Sequence, residues 1–126
     1  MKALIAAASL FLLASSVPVS AAEHAPTYTI RLYSFGFQPE PIVLRAGVPV
    51  TLVFTNSAGL GHEFSARAFF NSSRVLSGAV GSDGSVELKP HQSASVTLIP
   101  VRGAYEAHCG HFMHKQLGMS TWVYVQ

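Results

Sequence analysis

The segment from Tyr105 to Met119 gathers the chain's only cysteine, three of its six histidines and two of its three methionines. Within it Cys109, His114 and Met119 are separated by four residues in each gap, and another histidine, His62, stands well upstream. Two imidazoles, a thiolate and a weak axial thioether form the donor set that suits a copper ion moving between Cu(I) and Cu(II), because soft sulfur favours the reduced ion while imidazole tolerates both. Each donor also has an ordinary reading. A lone cysteine can be an inert core thiol, His62 can be a hydrogen-bonded core histidine, and Met119 can be simple packing. His111 competes with His114, and Met113 with Met119. The order and spacing of the four together favour a metal site at His62, Cys109, His114 and Met119. A zinc site of two histidines and one cysteine is chemically open, and the methionine weighs towards copper.

Such a site needs elements that bring distant donors together. If Cys109 ends one strand and Met119 begins the next, residues 110–118 form a loop that can fold back on itself. His62 then opens a strand after the loop Ala58-Gly59-Leu60-Gly61. From Thr27 onward, short β-rich runs alternate with turn residues, which predicts an all-β sandwich or barrel. The expected strands are Thr27 to Tyr33, Ile42 to Arg45, Val48 to Thr55, His62 to Ser65, Ser85 to Lys89, Ser93 to Ile99, Ala104 to Cys109 and Ser120 to Val125. Alternation places Val48, Val50, Leu52 and Phe54 on one face, and does the same for Val96 with Leu98 and for Trp122 with Tyr124. It also turns His108 away from the side that Cys109 faces. A weak helical pattern over Ala66 to Leu76 predicts one short helix outside the sheets. Phe35, Phe37, Phe54, Phe64, Tyr105 and Trp122 are expected in the core or at its rim.

The chain has 126 residues, and its first 22 read as a secretory leader: one early cation, Lys2, an apolar run from Ala3 to Ala14, then small residues at Ser20, Ala21 and Ala22. Residues 23–126 then form one small domain. The apolar run is short for a bilayer span, so no membrane span is expected after cleavage. With Lys2 removed, seven cations face six anions, a net charge of +1. That balance gives no basis for nucleic-acid binding. In an oxidising compartment a single cysteine cannot form an internal bridge, and capping by a metal explains it best. His24 and His91 read as solvated residues.

The Cys-x4-His-x4-Met arrangement at the end of an exported β-rich domain, with a histidine upstream, resembles the small cupredoxins of the plastocyanin, pseudoazurin and azurin kind. The resemblance covers residues 23–126. It implies a Greek-key β-sandwich in which an early strand supplies the first histidine and the loop between the last two strands supplies cysteine, histidine and methionine. One type-1 copper ion would accordingly be held by His62, Cys109, His114 and Met119. Two features depart from the pattern. Glu63 follows the first histidine where the small electron carriers often have asparagine, and a carboxylate there could lower the copper potential or make an outer-shell hydrogen bond. The phrase His108-Cys109-Gly110-His111 resembles the His-Cys-His signature of multicopper oxidases, but Gly110 breaks it and no His-x-His pair elsewhere completes a trinuclear cluster. Oxygen reduction by this chain alone is therefore not expected; a second metal shared between subunits, as in copper nitrite reductases, stays open.

The resulting expectation is periplasmic one-electron transfer by a monomer, with electrons leaving through the imidazole edge of His114 to a partner such as a c-type cytochrome. The alternative is copper sequestration or delivery in copper homeostasis, in which His108, His111 and Met113 recruit further copper. An enzyme is not expected, because a saturated type-1 site has no open position for substrate.

Overall fold

A computed structural model describes residues 25–126; the expected leader at residues 1–22, and His24, lie outside them. The alternation expected of half-buried strands is clearest in β4 (Val50–Asn56), where Val50, Leu52, Phe54 and Asn56 are buried and the residues between them are only partly so. This strand is the middle of a five-stranded sheet ordered β2 (Gly36–Gln38), β1 (Thr27–Tyr33), β4, β8 (Ser93–Ile99), β6 (Arg74–Ser77). The second sheet runs β3 (Ile42–Leu44), β10 (Ser120–Val125), β9 (Gly103–His108), β5 (His62–Ser65), β7 (Ser85–Leu88). Both are mixed, since β1 lies parallel to β4 and β3 parallel to β10. The chain passes from one sheet to the other at most connections, which is the Greek-key β-sandwich that the cupredoxin resemblance implies.

The two inner faces meet through aromatic rings. Phe64 of β5 packs against Phe54 of β4 and Phe37 of β2 with ring centres 4.9 and 5.6 Å apart. Phe70, from the short helix α1 (Arg67–Ser72), closes the cluster at 6.0 Å from Phe64. Rings in this offset or edge-on contact stabilise beyond their buried area.

Three local expectations are corrected. The helix covers only Arg67–Ser72, and Leu76, expected in it, lies in β6. The hydroxyls of Ser72 and Ser73 both donate to the Phe69 carbonyl oxygen, at 3.0 and 2.8 Å, and Ser73 is extended. These side-chain bonds compete with the helix and end it, leaving Arg74–Ser77 to pair with β8. Val48 precedes β4 rather than sharing its inner face and is exposed. Trp122 and Tyr124 do share a face, but it is the solvent side: β10 sends Thr121, Val123 and Val125 inward, and the two exposed rings stack 6.3 Å apart.

Gly78, just beyond β6, adopts φ +94°, and a Cβ there would overlap the Ser95 carbonyl oxygen of β8. The substitution Gly78→Ala is expected to cost about 1–3 kcal/mol from the left-handed backbone and this overlap. A lowered urea midpoint checks it; an unchanged midpoint would show that the β6 edge yields without strain.

Candidate metal centre

His62 is positioned from below by a buried amide. Asn56, at the end of β4, has its side-chain nitrogen 2.8 Å from the Leu60 carbonyl oxygen and 3.1 Å from that of Lys89, and its side-chain oxygen accepts the Ala58 N–H at 3.0 Å. A polar side chain buried in this way holds only where its partners are met. Here it ties the loop at residues 57–61 to the sandwich, so that β5 starts with His62 facing inward and fully buried. At the other end of the site, β9 stops at His108 and β10 starts at Ser120, directly opposite it. The loop between them is closed by backbone bonds: the Met119 N–H donates to the His114 oxygen at 3.0 Å, and the Met119 oxygen accepts the Cys109 N–H at 3.1 Å.

This closure brings three donor atoms together. His62 Nδ1 lies 3.2 Å from His114 Nδ1, while Cys109 Sγ lies 3.4 Å from His114 Nδ1 and 3.9 Å from His62 Nδ1. A first-row ion bonded trigonally at about 2.0 Å to nitrogen and 2.3 Å to sulfur would sit within edges of roughly 3.5–3.8 Å, so the triangle is of the right size to hold one. Cys109 and Met119 are fully buried beneath the loop, and His114 is half-buried.

The surroundings prepare these atoms to bind metal. The outer nitrogen of His62, Nε2, lies 3.1 Å from Ser34 Oγ, which leaves Nδ1 as the free donor when Nε2 carries the proton. Burial lowers the pKa of both His62 and His114, and neighbouring imidazoles lower it further, so both rings are neutral at pH 7 and available as ligands. Burial pushes the Cys109 thiol up from its ordinary value, opposed by hydrogen bonds from the Glu63 and His111 amides. The Glu63 N–H reaches the sulfur at 3.4 Å.

A family model for the cupredoxin-like domain matches residues 3–121. The chain belongs to the cupredoxin-like family. No curated protein matches the sequence. Solved structures resemble it at low identity. Auracyanin B is 21% identical with a TM-score of 0.59, over 81% of this chain and 89% of that one. An auracyanin from Roseiflexus castenholzii is 17% identical with a TM-score of 0.61, over 81% and 98%. A multicopper oxidase from Campylobacter jejuni is 12% identical with a TM-score of 0.61; the match covers 92% of this chain but 32% of the oxidase. At such identities the likeness is one of fold.

In this cupredoxin-like protein the donor set of the buried cluster suits one type-1 copper ion. The two rivals are placed elsewhere: the Met113 side chain is exposed, and His111 joins Glu63 and Glu87 instead of the buried triangle. His108 sits among the donors of neither cluster. Glu63, left open by the sequence, makes an outer hydrogen bond: its Oε1 accepts the Gly110 N–H at 2.9 Å, next to Cys109. Ser34 and Phe35 join the site from outside the expected residues; Phe35 meets the His114 ring edge-on at 5.0 Å. They lie far from the donors in sequence, and no local pattern marks them.

Ser34→Ala removes the partner of His62 Nε2 and is expected to weaken copper affinity by about tenfold to a hundredfold, the usual cost of losing such an outer partner. Competition against a copper chelator reads this, and unaltered affinity would mean that packing alone orients the ring.

Proposed function

We propose that this protein is an exported, periplasmic one-electron carrier that holds one type-1 copper ion with His62, Cys109, His114 and Met119. The observation that carries the reading is the buried triangle of two Nδ1 atoms and one Sγ with edges of 3.2–3.9 Å. Bound copper would supply a one-electron couple between Cu(I) and Cu(II). The protein's own part is to hold the donors in place through the Asn56 bonds, the Ser34 bond and the Met119 closure, so that little rearranges when the charge changes.

Access to a partner is one-sided. His114 is the partly exposed donor, and its loop carries exposed Phe112, Met113 and Leu117, while Leu60 is exposed on the loop leading into His62. These exposed apolar side chains suit brief docking of a redox protein such as a c-type cytochrome. Four protein donors leave no position for a substrate, so the reading is a carrier and not an enzyme. The leader-like first 22 residues support export. No helix among the described residues is long and apolar enough to cross a membrane.

The test is protein-film voltammetry of the copper-loaded protein, followed by stopped-flow exchange with a c-type cytochrome. A reversible one-electron wave and rapid exchange are expected; copper that stays in one oxidation state under both would overturn the reading. Sequestration or delivery of copper is the second reading, and the Glu63, Glu87, His111 cluster beside the first site is the observation that favours it.

A further inference from the structure

We propose that Glu63, Glu87 and His111 form a second metal site, selective for a divalent first-row ion such as Cu(II) or Zn(II), beside the buried triangle. Glu63 of β5 and Glu87 of β7 are cross-strand partners, directly opposite one another on the outward face of the sheet. Like charges in that position destabilise a strand pair unless something compensates them. Among the described residues no lysine or arginine pairs with either carboxylate; the ion pairs are His111 with Glu87 and Lys115 with Glu106. What approaches the pair is an imidazole, with His111 Nε2 2.7 Å from Glu87 Oε1. All three residues offer donor atoms within 4.8 Å of one another.

The chain keeps the surroundings clear. A Cβ on Gly110 would overlap Glu63 Oε1, and one on Gly61 would stand tight against His111 Cε1, at 3.3 Å. Two glycines thus border the cluster where side chains would crowd it. The donors also differ in kind from those of the first site. Two carboxylate oxygens and one imidazole nitrogen suit Cu(II) or Zn(II) and give little to Cu(I), which prefers sulfur. One face of the protein therefore offers a soft, buried site and a harder, partly exposed one. The rings of His111 and His114 stack 5.4 Å apart between them.

The test starts from protein given one equivalent of Cu(II), with its blue band saturated, and adds Zn(II) in a calorimeter; a parallel addition of Cu(II) is followed by EPR. One further equivalent is expected, with the second Cu(II) giving a signal distinct from the first. Glu87→Gln, a change at an exposed residue, is expected to lose that second equivalent and to retain the blue band. Saturation at one equivalent, or a second equivalent that survives in both Glu87→Gln and His111→Ala, would overturn the proposal. Failure of the type-1 reading shows separately, as absence of the blue band at the first equivalent. In that event Zn(II) binding to Cys109→Ala, with and without Glu87→Gln, still reads the second cluster, and equal binding by the two would sink it.

Discussion

Replacing Cys109 with alanine is expected to abolish the intense visible band that Cu(II) gives with the wild-type protein, because that band requires a thiolate bound to copper. The fold should survive. Cys109 is fully buried, and a change to alanine removes only one heavy atom, at a cost of about 1 kcal/mol. Copper should raise the unfolding midpoint of the wild-type protein and not that of the variant, since a ligand at a thousand times its Kd stabilises by about 4 kcal/mol. A variant that keeps the band, or the full copper-induced stabilisation, would remove Cys109 from the site. The pKa directions add a pH dependence. At neutral pH the thiol is protonated and both imidazoles are neutral, so uptake must displace the thiol proton alone. Raising the pH weakens that competition, and apparent affinity should increase by about tenfold per unit between about pH 7 and 9. A flat profile over that window would mean that the sulfur is not the group displaced.

The second large effect is expected from Phe64→Ala, which should cost about 3–5 kcal/mol, the range for emptying a buried aromatic site. Phe64 is fully buried and touches rings from the opposite sheet and from the helix. Small domains are stable by about 5–15 kcal/mol in total, so this one residue is a large share of the margin. It also lies two positions after His62 on β5, so the cavity opens directly beneath a donor. Equilibrium urea unfolding of the metal-free protein measures the loss. A change below about 1 kcal/mol would show that the neighbouring rings collapse into the gap, as they do at sites that can relax.

Local sequence marked those parts of the fold where pattern and burial agree. β1, β5, β8 and β10 occupy the residues predicted for them, because each alternates or carries a β-branched run between turn residues. β2 and β6 carry no such signal. They have three and four residues, and their pairing with β1 and β8 comes from neighbours and not from their own pattern. The predicted helix runs past the real one because Leu76 fits a helical spacing as well as a strand, and only the serine hydroxyls on the Phe69 oxygen separate the two. The serines were visible; what their side chains would bond was not.

Local sequence alone determined which donors Cys109 and His114 offer, their order and the loop length that allows them to meet, because both lie within one short strand-loop-strand segment where separation along the chain limits separation in space. Which carboxylates meet which histidine was decided by tertiary structure alone. Glu63 and Glu87 become neighbours through the register of β5 on β7, and His111 reaches them only because the loop after β9 folds over that sheet. The same holds for Ser34 behind His62 and for Asn56 beneath it. These contacts join residues far apart in the chain, and cross-strand register depends on the packing of whole faces, which no single segment encodes.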